Sequence, residues 1–453
     1  MENPGRHVQA GMSFTENDVA SHSTDLFRPI EQEVSMRETS SITLRPVSLA
    51  QAGPFQFNIP SKGNQYIQLA ATRLHVRGQV FNKYNGAPVR IEDGVALCNL
   101  PANSLFQTIE IDIGGVAISQ LQNANCNYKC LVDTLLSYDD QSKQGHLACS
   151  GWEPDFPEYF DDLRFDPDEK KNNTFNTGLQ ARRIRMDHPW EYCVPLHSDL
   201  FRCDRLMPPG VDLTVRLIRA KDNFLLMHLP DDDGSEYVIK LIDLRLHVRY
   251  VSVTDEIIKR HQELMTKQPI LMPIKKTEIT AHHFGAGVTN LDLTNLFQNR
   301  LPKSLIIGMV ATGAYNGTAN TNPYNFQHFD VNHVQVIRNG VAIPNEPYTP
   351  DWDNLLYNRE LRAFFDNIGI QTDNLSCGMT RRLYRGGATL FAFDFSPDLC
   401  NGFHWHRREP GGIMDIILKF KRPTPVGGVT VMLFAVYDAL VSIDLDQQVM
   451  VTI

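Results

Sequence analysis

The sequence predicts an all-β fold: two tandem jelly-roll (β-sandwich) domains with short helical excursions and an inter-domain helix. Three observations predict it. Apolar and polar residues alternate through many short segments. Clusters of Gly, Pro, Asn and Asp separate those segments. The order of segments in the first half of the 453 residues returns in the second. The parsing that follows is an N-terminal arm over 1–40, a first jelly roll over 41–253, a linker helix over 254–268 and a second jelly roll over 269–453.

Residues 1–40 are polar, without periodicity, and carry seven acidic residues against three Arg, so they read as an arm that is ordered only where something holds it. Alternation starts near residue 42. Leu74, Val76 and Val80 alternate with Arg73, His75, Arg77 and Gln79. Ile109, Ile111 and Ile113 alternate with Glu110 and Asp112, and Leu244, Leu246, Val248 and Tyr250 with Asp243, Arg245, His247 and Arg249. A period of two places one face in a core and the other toward water or a partner. Asn85-Gly86, Pro208-Pro209-Gly210 and Asn339-Gly340 supply turn chemistry between such runs. Three segments carry helical spacing instead: Leu121–Tyr138, Trp352–Phe365 and Asp255–Thr266. The last has Thr254 as N-cap, Asp255 and Glu256 in its first turn, an apolar stripe of Ile257, Ile258, Leu264 and Met265 with His261, and Pro269 beyond its end. It sits mid-chain, where a connector belongs.

The repeat is the strongest signal. Thr108–Ile118 ends in Gly-Val-Ala-Ile, and so does Gln327–Ile343, with the two tetrads 225 positions apart. A helical stretch follows in each half. Ser198-Asp199-Leu200 then precedes Gly210–Leu217, as Ser396-Pro397-Asp398-Leu399 precedes Gly412–Phe420, with Asp212 set against Asp415 and Arg216 against Lys419. Each half closes on a long strand pattern, Tyr237–Val253 and Gly428–Ile443. About eight strands in 185–215 residues suits two four-stranded sheets packed face to face. Helices do not alternate with strands, which disfavours a doubly wound α/β sheet.

Composition narrows function. Apolar residues are 42% and charged residues 21%, enough for more than one core. A net charge of −9 argues against a surface that coats nucleic acid. No apolar run reaches the ~20 residues of a membrane span, and the N-terminus lacks signal-peptide order. The eight cysteines show no framework spacing, as expected for folding in a reducing compartment. The sequons at Asn172, Asn316 and Asn374 are then expected to stay unused.

The reading commits to no catalytic, cofactor or metal residue. The nearest to a site is His404, His406 and Glu409: two His at i and i+2 of a strand face one way, as in cupin metal sites. The Glu spacing is one short, a third His ligand is lacking, and flanking Gly and Pro suggest a loop. His282-His283 face opposite ways in a strand. Cys126 and Cys130 share a helix face without a second ligand pair. Asp231–Asp233 lack the remaining ligands of a calcium loop. Arg182, Arg183 and Arg185, Arg381-Arg382 and Arg407-Arg408 read as surface arginines, and Glu110 with Asp112 as the wet side of a strand.

The chain resembles the double jelly-roll major capsid (hexon) proteins of Maverick/Polinton elements and adintoviruses, copies of which also sit in animal genomes. The stretches that carry the resemblance are Gly53–Pro60, Tyr66–Val80, Asn103–Gly115, Tyr128–Tyr138, Leu196–Met227, Asn295–Pro344 and Gly387–Gly402, with the closing strands to Asp444. It covers about residues 25–445; the arm and the acidic insert Leu229–Glu236 match least. It implies a homotrimeric capsomer, an icosahedral shell, a penton or minor capsid partner and no catalytic residues. It also implies no membrane contact, nucleic acid contact at most indirect, and a place in the virion capsid after synthesis in the host cell. A tandem cupin-like metalloenzyme and a host-retained copy acting as a binding protein remain the alternatives.

Overall fold

The computed structural model describes residues 33–118, 125–164, 175–229, 236–370, 376–399, 405 and 411–452, with Gln298 by its backbone alone. The first half supplies β1 (Met36–Leu44), β2 (Phe55–Ile59), β3 (Gln65–Asn82), β4 (Ala96–Leu97), β5 (Phe106–Ile113), β6 (Val116–Ala117), β7 (Trp190–Pro195), β8 (Leu213–Arg219), β9 (Leu226–Met227) and β10 (Tyr237–Val253). The second supplies β11 (Ile270–Phe284), β12 (Asn290–Leu296), β13 (Ser304–Ala311), β14 (Val331–Arg338), β15 (Val341–Tyr348), β16 (Leu390–Asp394), β17 (Met414–Phe420), β18 (Val429–Ile443) and β19 (Val449–Thr452).

The sheets run β1-β10-β3-β7 and β2-β8-β5-β6 in the first half, and β11-β18-β13-β16 and β12-β17-β14-β15 in the second. Counting only these eight strands per half, both halves join first, eighth, third and sixth in one sheet, and second, seventh, fourth and fifth in the other. That is the jelly-roll order, written twice. The small pair β4-β9 and the closing β19 are additions to it. Inward residues on the central strands are apolar and buried: Leu74, Val76 and Val80 on β3, Leu213, Val215 and Leu217 on β8, Met414, Ile416 and Leu418 on β17.

The Gly-Val-Ala-Ile tetrads form matching hairpins. Ile113 pairs with Val116 and Arg338 with Val341, leaving two-residue turns. Gly114, Gly115, Asn339 and Gly340 all have positive φ, at 57°, 86°, 51° and 79°. Such a turn matches the right-handed twist of its strands. In each hairpin the first turn residue donates its N–H to the chain entering the seventh strand, Gly114 to Asp212 O and Asn339 to Ile413 O, both at 2.9 Å. Structurally, then, Asp212 matches Ile413, not Asp415. The sequence pairing was off by two residues, a slip that a period of two conceals because it keeps the same face. Both carboxylates still tie down the second strand's end: Asp212 accepts from Ser61 N at 3.1 Å and Asp415 from Asn295 N at 2.7 Å.

Helices occupy the loops at one end, where connections one–two, three–four, five–six and seven–eight lie. They are α1 (Pro101–Ser104), α2 (Cys126–Ser137), α3 (Asp140–Gln144), α4 (Thr177–Ile184) and α5 (Asp222–Leu225), then α7 (Thr312–Asn316), α8 (Asn358–Asn367) and α9 (Arg381–Arg385). Between the halves, α6 (Asp255–Met265) falls where the connector was expected.

Several expectations need correction. Strand β1 begins at Met36, within the segment read as arm. It lacks an apolar alternation there because it is an edge strand with both faces largely exposed. The helix expected over Trp352–Phe365 starts at Asn358. Trp352 instead anchors a turn, donating its indole N–H to Val331 O at 2.7 Å and stacking on His328. Of Leu121–Tyr138, Cys126–Ser137 is helical, and Leu121–Ala124 lie outside the described residues. Thr254 has the extended backbone of an N-cap, but its side chain makes no cap bond, and no α6 residue is fully buried.

Candidate functional site: the seam between the two sandwiches

Among the described residues, a concentration of buried polar chemistry lies where the first half meets the second. Its upper part is aromatic. Tyr128 of α2 contacts Phe224, Tyr315, Tyr324 and Phe326 at ring-centroid separations of 5.6–6.1 Å, and Phe326 contacts Phe434 of β18. Each edge or offset pair adds about 0.5–1.5 kcal/mol beyond area burial. The Ser104 and Tyr324 hydroxyls bond to each other across the halves, and Tyr315 Oη donates to Asn125 Oδ1 at 3.1 Å.

Beside it lies a buried network on Arg182 of α4, which is 1% exposed. Its guanidinium donates to Leu97 O at 2.7 Å, Glu153 O at 2.6 Å and Asp155 Oδ1 at 2.5 Å. Asp155 also accepts from Asn176 Nδ2 at 2.8 Å and, from the second half, Asn322 Nδ2 at 3.1 Å. Next to it, Asp161 accepts from Asn322 N and Asn325 Nδ2, both at 2.6 Å, and burial pushes its carboxyl up. Lys143 donates to Cys377 O at 2.6 Å, and Arg382 reaches Glu158 at 3.1 Å.

The third part surrounds a cavity of about 670 Å³. Lys129 pairs with Asp133 at 2.6 Å and Asp199 at 3.3 Å, and Arg202 with Asp133 at 3.2 Å. Burial alone would raise the Asp133 carboxyl, but Lys129 and Arg202 hold it well below the usual carboxylate range. His197, 3.6 Å from Asp133, is held below its ordinary value by burial, which Asp133 only partly offsets. Asp199 crosses to β11, accepting from Thr277 N at 2.9 Å and Thr277 Oγ1 at 3.3 Å. These charges are spent on one another. The arrangement joins two sandwiches into one block, since breaking a buried pair leaves an uncompensated charge.

The residues singled out in the sequence scatter. His404, His406, Glu409, Arg407-Arg408 and Asp231–Asp233 lie outside the described residues. Among the described residues no group of three or more His, Cys, Asp and Glu side chains is placed to hold a metal ion. His283 Nδ1 bonds Thr430 Oγ1 at 2.9 Å and its ring meets Tyr315, while burial lowers His282. Cys126 and Cys130 are buried on α2, and burial pushes the Cys126 thiol up to about 11. Glu110 pairs with Arg216 across two strands at 3.1 Å, and Asp112 accepts from Gly115 N at 2.8 Å to brace the hairpin. Arg182 was misread as a surface arginine: its neighbours Arg183 and Arg185 are less buried, but α4 turns Arg182 inward onto Asp155. Arg381 and Arg382 cover Tyr357 and Phe156 at 5.6 and 4.8 Å. Asp155, Asn176 and Asn322 were missed, because isolated Asp and Asn in loops look like turn formers. No helix among the described residues is long and apolar enough to cross a membrane.

The fold is a double jelly roll, and the solved structures it resembles are viral major capsid proteins of that architecture. A chain of the Sputnik virophage superposes with a TM-score of 0.62 at 12% identity, spanning 98% of this chain and 94% of that one. The mavirus major capsid protein gives 0.56 at 12%, spanning 98% and 97%, and the Faustovirus major capsid protein 0.54 at 10%, spanning 92% of each. In sequence, the chain is 22% identical over 406 residues to an uncharacterised protein of Caenorhabditis elegans, covering 86% of this chain and 91% of that one. No protein-family model matches.

Proposed function

We propose that this chain is a major capsid protein with a structural, non-catalytic role. Three copies stand about a three-fold axis and present six sandwiches as a pseudo-hexagonal capsomer of an icosahedral shell. The carrying observation is the same eight-strand order twice in one block fastened through a buried seam. A three-fold ring of two-part blocks has a near six-fold outline, and head-to-tail contacts close into rings when the rotation allows. The domains are taken as 36–253, with β1 included, and 269–453, with 254–268 as linker and the residues before β1 as arm. Self-association is the principal partnership, with a penton or minor capsid protein at the vertices. The net charge of −9 supports nucleic acid contact that is at most indirect. The virion capsid is the destination after synthesis in the host cell. The Maverick/Polinton and adintovirus lineage is supported by the matching stretches of sequence.

Light scattering with negative-stain microscopy of the purified full-length chain tests this. The expected particle is three times 51.4 kDa, about 154 kDa, with a six-sided outline. A stable monomer at high concentration overturns it.

A further inference from the structure

Four connections converge on one cavity at the helix-bearing end of the block. Residues 158–161 come from connection five–six of the first half. Residues 325–330, 385–387 and 422–425 come from connections three–four, five–six and seven–eight of the second. The cavity holds about 710 Å³, within the ~300–1,000 Å³ range of small-molecule sites. Its backbone is held against preference. Glu158, Phe329 and Asp330, none of them glycine, have φ of 73°, 45° and 55°. Left-handed backbone at such residues persists only where the surroundings fix it, and it gathers at ligand clamps and active sites.

The polar groups on the wall are oriented and only partly used. Asn325 and Gln327 flank Phe326, whose ring is buried in the core, and both line the cavity. Asn325 Nδ2 donates to Asp161 Oδ2 at 2.6 Å, which leaves the Asn325 carbonyl oxygen and part of the carboxylate's acceptor capacity for a guest. The Gln327 side-chain amide makes no hydrogen bond among the described residues. His328 accepts the Asp330 N–H on Nδ1 at 2.9 Å, so Nε2 carries the ring proton. Burial holds that ring below its ordinary value, which keeps it neutral, and Trp352 stacks on it at 4.4 Å. Arg385 and Arg422 line the cavity too, but carboxylates match them, Glu158 at 3.5 Å and Asp330 at 3.2 Å. Phe329, Pro423 and Pro425 supply the apolar part of the wall.

This set suits a neutral polyol on a ring. Hydroxyls both donate and accept. They can donate to Asp161 and the Asn325 carbonyl, and accept from the Gln327 amide and His328 Nε2. The C–H face of the ring packs on Phe329 and the prolines. An anion would lose its hydration beside three carboxylates, against arginines already paired. We propose that the cavity binds a neutral saccharide, with Asp161, Asn325, Gln327 and His328 reading its hydroxyls and Phe329 carrying its ring. One chain holds the whole site, so the inference stands apart from the capsomer reading. Copies set side by side would offer the site on one surface, where weak single contacts add up through multivalency.

Saturation-transfer NMR on the full-length chain tests it. The probes are glucose, galactose, mannose and N-acetylglucosamine at millimolar concentration, with N-acetylneuraminic acid as the charged comparison. At least one neutral sugar should show transfer, and the acid should show none. Gln327→Ala should weaken that binding about fivefold or more, as the loss of one ordinary hydrogen bond would. Gln327→Trp, which fills the cavity, should abolish it. Both variants should keep the wild-type melting temperature, because the Gln327 side chain bonds nothing among the described residues. No transfer from any neutral sugar overturns the proposal, and so does transfer from the acid alone. Binding that survives Gln327→Trp lies elsewhere and also overturns it. Should Gln327→Trp melt early, Gln327→Ala decides alone, and unweakened binding there counts against the site.

Discussion

Replacing Arg182 by Met keeps an unbranched chain in the same slot but removes every donor. Three acceptors then lose their partner: Leu97 O, Glu153 O and Asp155 Oδ1. Asp155 keeps the amides of Asn176 and Asn322, so it is not stripped bare, but its countercharge is gone at a site where both partners' side chains are no more than 3% exposed. Removing one member of a buried pair costs about 3–5 kcal/mol, and each orphaned carbonyl carries a desolvation cost of about 1–3 kcal/mol where water cannot reach it. Against the ~5–15 kcal/mol stability of a typical domain, Arg182→Met should lower stability by at least about 3 kcal/mol. Guanidinium unfolding followed by tryptophan fluorescence reads this as a lower midpoint. Asp155→Asn placed in the same chain should recover part of the loss, since the uncompensated charge goes with it. Arg185→Met, which removes a more exposed pair with Glu153, should change stability by less than about 1 kcal/mol. A loss below about 1 kcal/mol for Arg182→Met, or no recovery in the double variant, would refute the view of the seam as a charge-locked joint.

Acidification should loosen the same joint. His197 is held neutral by burial, and burial also lowers His282 and His328. The unfolded chain takes up these protons near pH 6.5 while the folded chain does not, so stability falls as pH drops through that range. Melting curves from pH 8 to 5 should show the fall, and His197→Gln should flatten it relative to wild type. That comparison cancels Asp161 and Asp199, which burial raises and which act in the opposite sense. Gly78→Ala puts a Cβ about 2.4 Å from Cζ2 of Trp190, so a loss of about 1–3 kcal/mol with a shifted tryptophan emission is expected; wild-type emission and stability would contradict the packing. A thiol titration of the native protein should label Cys149 and Cys193 promptly. Cys98, Cys126 and Cys130 should stay silent until denaturant is added, because they are buried and burial pushes Cys98 up to about 12 and Cys126 to about 11.

The β-sandwich order was legible because alternation and two-residue turns are local: Ile109–Ile113 and Asn339-Gly340 declare a strand and a hairpin without reference to anything distant. The connector helix was legible for the same reason. The seam was not. Arg182 and Lys129 have the composition of surface residues, and what pairs with them comes from loop chain at distant positions, Glu153–Asp155 for one and Asp199, itself tied to β11, for the other. Edge strands also hide, since Met36–Ser40 needs no apolar face when it pairs on one side only. The pairing of Asp212 with Asp415 failed by two residues for a related reason: alternation fixes which face a residue takes, not its height along the strand.

Among the described residues, all the α-helices but α6 leave the sandwiches at the same end. The opposite end holds the two-residue hairpins, α6 and β19, and there the Gln447 turn lies against Gly210 and Gly114. The block therefore has a polarity written into its connectivity. Copies packed side by side in one orientation make a wall whose two surfaces differ in relief and in tolerance of change. Peptides grafted into the helix-bearing loops would all emerge on one side, and substitutions in the tight turns would all be felt on the other.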